Sequence, residues 1–165
     1  MAQQFSFDIV SEINFQELDN AVNQARKEVQ QRYDFKGIET TIAVDVKEKR
    51  LTVSSGDEFH VKSAVDVLQN KMVKRGIHLK ALKYDPIEAA AGATARQVIH
   101  LVVGIEKENA KSLVKMIKDA KVKAQAQIME DQVRVSGKDK DELQVVQKLV
   151  READLSFPVQ FANYR

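Results

Sequence analysis

The sequence predicts an α+β protein in which one unit of six elements, βαββαβ, occurs twice. Three observations lead to this prediction. Apolar residues alternate in short segments and recur at helical spacing in longer ones, in the order strand, helix, strand, strand, helix, strand. That order starts again at residue 97, after an alanine-rich stretch. The segments RLTVSSG and QVRVSGK also stand before a helix at corresponding places in the two halves, as expected of an internal repeat.

The first unit opens with FSFDIV, in which Phe5, Phe7 and Ile9 alternate with polar residues and predict a half-buried strand over residues 5–10. Asn14, with a glutamate three residues later, is close to a capping box and predicts the start of a helix. The remaining elements predicted for this unit are a helix ending near residue 32, strands over 40–46 and 50–54, a helix from about residue 57, and a strand over 77–84.

The stretch YDPIEAAAGATARQ separates the two units. It contains Pro86, Gly92 and a run of alanines, a composition typical of a connecting segment. We therefore predict a first domain over residues 1–84, a linker over 85–96 and a second domain over 97–165.

The second unit repeats the pattern of the first. Glu130 and Asp131 separate two alternating segments and predict a hairpin, and Asp139 with Glu142 gives another helix-capping signature. The predicted elements are a strand over 97–104, a helix over 106–120, hairpin strands over 122–129 and 132–137, a helix after residue 139, and a closing strand over 157–163. A βαββαβ unit folds as a four-stranded antiparallel sheet with both helices on one face.

Composition excludes several classes of protein. The chain has 165 residues, 44% of them hydrophobic and 30% charged, with no cysteine and a net charge of +2. Without cysteine there is no disulfide, thiol nucleophile or cysteine-bound metal. No apolar run is long enough to span a membrane, and the N-terminal residues lack the features of a secretory signal. We therefore expect a cytoplasmic protein that does not contact the membrane.

Motifs for catalysis are missing from the sequence. His60, His78 and His100 are far apart and have no metal-ligand spacing, and neither GxxxxGK[ST] nor GxGxxG occurs. We therefore expect no enzyme activity, no metal and no cofactor.

Aromatic residues bear on RNA recognition, because RNA-recognition domains with the order βαββαβ stack bases on aromatic side chains of their central strands. The third strands here, RLTVS and QVRVS, carry no aromatic residue. Phe5, Phe7, Phe157 and Phe161 offer a substitute platform, but their alternation favours a place in the core beneath the helices.

Lysines recur at every third or fourth residue of the predicted helix 106–120, which places them on one face, and they continue past its end. Two interpretations stay open: an ordinary solvated helix face, or a surface that binds phosphate groups. The lysines of this stripe are Lys107, Lys111, Lys115, Lys118, Lys121 and Lys123.

Three further basic residues are candidates for phosphate contacts. Lys36 follows the first helix in the segment DFKG, and Arg165 ends the chain beside Tyr164. Arg134 alternates with two valines, which directs it to the sheet face without helices. There it is suited either to contact a phosphate or a guanine edge, or to form a salt bridge with a neighbouring carboxylate.

Several segments identify a family resemblance: SFDIVSEI, EVQQRYDFKGIE, KMIKDAKVKAQAQ, QVRVSGK and FPVQFANYR resemble the YajQ family of bacterial proteins from end to end. The resemblance implies two ferredoxin-like, RNP-like domains in tandem. It also implies that the domains exchange their first strands. Residues 5–10 would then pair beside 157–163, and residues 97–103 beside 77–84.

The family is described as nucleotide-binding, and some members are similar to RNA-associated proteins or are receptors for cyclic di-GMP. The resemblance therefore implies a non-catalytic protein that binds cyclic di-GMP, GTP, ATP or RNA through basic residues. The segment 138–142, KDKDE, is more acidic than the family pattern, which weakens a phosphate contact there. The alternative is a scaffold that binds a protein partner and no nucleotide.

Overall fold

In the computed structural model, which describes residues 4–165, the chain divides into two compact units. One unit combines the N-terminal segment through Glu12 with Val103–Arg165, and the other is Ile13–Val102. Residues 1–3 of the predicted first domain lie outside the described residues. The predicted α+β class and the antiparallel sheets are confirmed.

The helices and strands follow one another much as predicted. In chain order they are β1 (Phe5–Val10), α1 (Phe15–Gln31), β2 (Thr41–Asp45), β3 (Arg50–Ser55), α2 (Glu58–Lys74), β4 (Leu82–Tyr84), β5 (Glu88–Ala90), β6 (Thr94–Leu101), α3 (Lys107–Asp119), β7 (Gln125–Met129), β8 (Gln132–Gly137), α4 (Lys140–Glu152) and β9 (Gln160–Ala162). No helix in the described part of the chain is long and apolar enough to cross a bilayer.

The unit that contains both chain ends is built on a four-stranded antiparallel sheet in the order β7-β8-β1-β9. Strand β1 is central, and it pairs with β8 on one side and β9 on the other. Phe7 and Ile9 are fully buried in a core that helices α3 and α4 complete with Leu113, Ile117 and Val146. The alternation is confirmed for Phe7 and Ile9, but the strand is not half-buried as predicted, because Asp8 and Val10 on its other face are buried too. Of the four phenylalanines favoured for the core, Phe7 and Phe157 are buried in it, and the other two, Phe5 and Phe161, are partly buried against it.

The unit Ile13–Val102 has the sheet order β2-β3-β6-β4, with β5 added beside β6. Helices α1 and α2 pack on each other and on this sheet. Its core includes Leu18, Leu51, Leu68, Met72 and Ile99, all fully buried. Here β6 is the central strand, pairing with β3 and with β4.

Helix ends agree with the capping signals of the sequence. The side chain of Asn14 accepts hydrogen bonds from the backbone N–H groups of Gln16 and Glu17 at the start of α1. Asp139 accepts from the N–H of Asp141 at the start of α4. These side chains satisfy donors that the first turn of a helix leaves without partners.

Several segments differ from the prediction. The strands predicted over 97–104 and 122–129 are β6, which is Thr94–Leu101, and β7, which begins at Gln125. The strand expected over 77–84 is shorter, because a 3₁₀ turn at Leu79–Ala81 leaves only β4 extended. The closing strand begins at Gln160 rather than at residue 157. The stretch expected as a linker contains β5, which pairs back onto β6 through a turn at Gly92 with a φ of +71°. The alanine-rich composition therefore belongs to an ordered hairpin of the unit Ile13–Val102.

Gly104 anchors the start of the second half of the chain. Its N–H donates to the carbonyl of Ser11 at 2.6 Å, and the next N–H, of Ile105, donates to the carbonyl of Asp131 at 2.8 Å. The φ of Gly104 is +86°, and a Cβ added there would lie 2.8 Å from Oδ2 of Asp131. Glycine is thus required both by the backbone conformation and by the close approach.

We expect Gly104→Ala to lower the free energy of unfolding by about 1–2 kcal/mol for the left-handed backbone and by a further 1–3 kcal/mol, roughly, for the clash with Asp131. The matched control is Gly76→Ala, since Gly76 has a φ of +81° with open space around its Cβ position. Urea unfolding measures both variants. Equal losses in the two would contradict the role assigned to Asp131.

Candidate functional site

A buried carboxylate lies at the centre of the sheet that contains β1. The side chain of Asp8 is 1% exposed, on the sheet face opposite to Phe7. Nε of Arg134 donates to Oδ1 of Asp8 at 3.0 Å, and Nδ2 of Asn163 donates to Oδ2 at 2.8 Å. The guanidinium of Arg165 lies 3.8 Å from Oδ2. Of the two interpretations left open for Arg134, the structure therefore contains the salt bridge.

These neighbours keep Asp8 ionised. Burial by itself raises the pKa of Asp8 because it disfavours the charged form. The hydrogen bonds from Arg134 and Asn163, with the positive charges of Arg134 and Arg165, outweigh that effect and hold the pKa below its ordinary value of 3.8. The carboxylate is thus a fixed negative charge that orients two arginines.

Asn163 changes the register between the chain end and β1. Asp8 stands opposite Ala162, yet the backbone of Ser6 exchanges two hydrogen bonds with Arg165, of 2.9 and 3.1 Å. One extra residue is therefore accommodated on the outer strand, at Asn163, whose φ is +56°. This β-bulge turns Tyr164 onto the core side of the sheet, beside Phe7, and Arg165 onto the side of Asp8.

A cavity of about 360 Å³ opens between β1, α4 and the chain end. Four α4 residues at helical spacing form one wall: Lys140, Leu143, Gln144 and Gln147. The opposite wall consists of Phe5, Ser6 and Phe7, together with the terminal residues Tyr164 and Arg165. All of these residues belong to one compact unit.

Side chains around this cavity are held in place by mutual contacts. The ring of Tyr164 stacks on Phe7 with centroids 6.2 Å apart and an angle of 27° between the ring planes. Nε2 of Gln147 donates to the Tyr164 hydroxyl at 3.2 Å. Nζ of Lys140 lies 4.8 Å from the centre of the Phe5 ring, a favourable cation–π distance. The tyrosine is nevertheless 64% exposed, so its ring remains available to a ligand.

The cavity combines three kinds of chemistry. An exposed aromatic ring is suited to stacking, the amide of Gln144 to hydrogen bonding, and Lys140 to binding negative charge. Arg165 also lines the cavity, but its guanidinium is directed to Asp8 on the other face of the sheet. Its volume lies within the range of pockets for small ligands. A planar heterocycle that carries a phosphate group matches this combination.

Of the basic residues selected from the sequence, only Arg165 lines this cavity. Lys111, Lys115, Lys118, Lys121 and Lys123 are exposed on α3 and on the segment before β7. None of these five lysines has an ion-pair partner among residues 4–165. Arg134 forms the salt bridge with Asp8 described above.

Lys36 lies in the other unit, after a 3₁₀ turn at Tyr33–Phe35, and is exposed. His60 holds that turn against α2: its Nδ1 is 2.8 Å from Oδ1 of Asp57, and its Nε2 is 3.0 Å from the carbonyl of Asp34. The hydrogen bond to Asp57 raises the pKa of His60 above its ordinary value of 6.5. His60 therefore serves in local structure, and no group of three or more potential metal ligands occurs in the described part of the chain.

Sequence reasoning missed Lys140, Gln144 and Gln147. A signal was present, since these three polar residues share one face of a helix whose capping signature was recognised. What the sequence does not reveal is that the chain end, shifted by one residue at Asn163, brings Tyr164 opposite that face.

Replacing Asp8 with asparagine tests the buried carboxylate. Because the folded pKa is lower than the unfolded one, the stability that Asp8 contributes is fully present above the unfolded pKa and is lost as the pH falls through the folded pKa. We expect Asp8→Asn to lower the free energy of unfolding by about 2 kcal/mol at pH 7 and to weaken its pH dependence in the acid range. Urea unfolding at stepped pH measures both, with exposed Asp119→Asn as the control. An unchanged pH dependence would contradict the assignment.

The bulge at Asn163 is tested by two substitutions. Asn163→Val places a β-branched residue at a positive φ, and we expect it to lower the free energy of unfolding by about 1–3 kcal/mol. Asn163→Gly permits the φ and removes only the hydrogen bond to Asp8, with an expected loss of about 1 kcal/mol. Thermal unfolding compares the two variants. A valine variant as stable as the glycine variant would argue against a required left-handed conformation.

Comparisons with known proteins bear on the whole chain. A family model described as nucleotide-binding protein YajQ-like matches residues 5–165. A nucleotide-binding protein of Carboxydothermus hydrogenoformans is 52% identical over 165 residues and one of Chloroherpeton thalassium is 50% identical, each covering 100% of both chains. A nucleotide-binding protein of Geotalea daltonii is 48% identical over 160 residues, which are 97% of this chain and 98% of the relative. The chain therefore belongs to the YajQ-like family of bacterial proteins.

Proposed function

We propose that this protein is a non-catalytic nucleotide-binding protein whose ligand occupies the cavity between β1, α4 and the chain end. The observation that carries the proposal is the convergence there of an exposed aromatic ring, the amide of Gln144 and the ammonium group of Lys140. The family description and the names of the relatives support the same class of ligand.

In the proposed complex the base stacks on the exposed side of Tyr164, whose other side is covered by Phe7. The amide of Gln144 contacts the edge of the base. Lys140 contacts the phosphate groups. A cavity of about 360 Å³ takes one nucleotide. With cyclic di-GMP or RNA, the second nucleotide lies outside it.

We also propose that the two units are tandem ferredoxin-like domains that exchange their first strands. The pairing of β1 with β8 and β9 supports this arrangement, because β1 is the first strand of the predicted first domain and lies in the sheet of the second. The pairing of β6 with β3 and β4 supports the reciprocal exchange. The nucleotide cavity exists under this arrangement only because β1 contributes its wall.

A protein-binding scaffold is the second candidate function. Tyr33 and Phe59 favour it: they are 87% and 67% exposed in the unit Ile13–Val102. The ring of Phe59 contacts His60 edge-on, and Tyr33 precedes Asp34, whose carbonyl His60 contacts. Aromatic residues exposed to this degree are typical anchors of protein interfaces.

Titration with GTP, ATP, cyclic di-GMP and a short single-stranded RNA tests the nucleotide proposal. We expect one of these ligands to bind and the affinity to fall with rising salt, since phosphate contacts release counterions. Tyr164→Ala should weaken binding by about tenfold or more, because stacking on an aromatic ring contributes about 1–3 kcal/mol per base. Isothermal titration calorimetry at two salt concentrations measures both effects.

Matched variants locate the site. Lys140→Ala should weaken binding, whereas Lys148→Ala, an exposed lysine on the same helix that does not line the cavity, should leave it unchanged. Loss of affinity in Lys118→Ala with no change in Lys140→Ala would move the site to the lysine stripe. Absence of binding to all four ligands at low salt would overturn the nucleotide proposal in favour of the scaffold.

A further inference from the structure

Strand β7 is an edge strand whose outer side carries no other strand among residues 4–165. A two-residue turn, Glu130 and Asp131, joins it to β8, with Met129 opposite Gln132. In such a hairpin the residues that close the turn are hydrogen-bonded to each other, and the bonding alternates along the strands. The backbone N–H and C=O groups of Ala126 and Ile128 therefore point away from β8. They are available to a further strand.

Strand β7 lacks charges, prolines and bulges, the features that usually keep an edge strand from pairing with another chain. Its sequence, QAQIM, has no charged residue and no proline, and its pairing with β8 contains no bulge. Charges begin only before the strand, at Lys123, and after it, at Glu130. Within the strand itself, therefore, no charge, proline or bulge opposes pairing with an extended chain.

An apolar groove runs beside this edge. Val114 and Ile117 of α3, Val122, and the small side chains of Ala124 and Ala126 line a cavity of about 390 Å³ with Lys118 at its border. A second cavity, of about 410 Å³, continues past Lys123 and Lys138. Together they provide room for alternate side chains of an added strand.

Positive charge surrounds the groove. Lys118, Lys121 and Lys123 are exposed and have no ion-pair partner within the described residues. The nearby acidic groups are partly engaged: Glu142 accepts a hydrogen bond from the N–H of Lys123, and Asp139 caps α4. Asp119 is the exposed acid on α3 beside Lys118. Three lysines and one acid, Asp139, line the two cavities, a net charge of +2 that favours an acidic ligand.

We infer that β7 and the adjoining α3 groove bind an extended acidic segment of a partner protein, which adds a fifth strand to the sheet. The segment exchanges backbone hydrogen bonds with Ala126 and Ile128, places apolar side chains in the groove and directs carboxylates to Lys118 and Lys123. Single-stranded RNA fits less well, since neither β7 nor its groove offers an aromatic ring for stacking. This surface shares no lining residue with the proposed nucleotide cavity, so the inference is independent of it.

NMR titration of the ¹⁵N-labelled full chain tests the inference. The probe is a synthetic ten-residue peptide of alternating valine and glutamate. We expect shifts at the amides of residues 124–128, no comparable shifts with an alternating valine–lysine peptide, and an affinity at least tenfold weaker when alternate peptide nitrogens are methylated. N-methylation blocks strand pairing and leaves charge unchanged, so it isolates the backbone contribution.

Variants of the protein give a second test. Ala126→Pro removes an outward N–H without removing a bond to β8, a substitution that edge strands tolerate. We expect it to abolish peptide binding. The double variant Lys118→Glu with Lys123→Glu should weaken binding at least tenfold, and Lys148→Glu on α4 should not. The amide spectrum of the proline variant shows whether it folds. If it does not, the charge variants and the methylated peptide still test whether the peptide binds β7 as an added strand.

Three results would overturn the inference. One is the absence of shifts at β7 with the valine–glutamate peptide, or equal binding of its N-methylated form. Another is binding of oligouridine at Lys118 and Lys123 without binding of the peptide, which would identify a nucleic-acid surface. The third is self-association of the protein that Ala126→Pro abolishes, measured by sedimentation, which would make a second copy the occupant.

Discussion

The ionised carboxylate of Asp8, buried within a β-sheet, is the constraint on which the rest of this unit depends. A buried charge is costly unless it is paired and fully hydrogen-bonded. Here the partners come from three places: Arg134 on the neighbouring strand, Asn163 at the bulge and Arg165 at the chain end. One side chain thereby ties the chain terminus and the hairpin β7–β8 to the central strand, and it excludes arrangements in which any of these partners is displaced.

The candidate site is a product of that constraint. The hydrogen bond between Asn163 and Asp8 accompanies the left-handed conformation that shifts the terminal residues by one position. The shift brings Tyr164 over Phe7, opposite the polar face of α4. A cavity wall made of terminal residues is ordinarily poorly ordered, because chain ends fray. The buried ion pair and the two backbone bonds between Ser6 and Arg165 remove that freedom. The ring of Tyr164 is consequently held in one position, which in the proposed complex lowers the entropic cost of binding.

Much of the fold could be predicted from the sequence, because alternation and capping are local signals. Asn14, Asp139 and the turn at Glu130 were identified correctly for this reason. Strand pairing is not local: periodicity in FSFDIV indicates a strand but not its neighbours, and only the family resemblance pointed to β9. The candidate site was harder to predict from the sequence than the fold was. The choice between a phosphate contact and a salt bridge for Arg134 depended on Asp8, 126 residues away, and Tyr164 gained its position from one backbone angle at Asn163.

The position of β1 in the sheet also constrains the order in which the protein can fold during synthesis. Strand β1 is synthesised well before its two neighbours, β8 and β9. Since chains grow at about 5–20 residues per second, roughly 6 to 30 seconds separate β1 from these partners. During that interval the unit Ile13–Val102 has all its strands and is free to fold, while Phe7 and Ile9 have no core to enter. The apolar face of β1 therefore stays without its partners until β8 and β9 have been made.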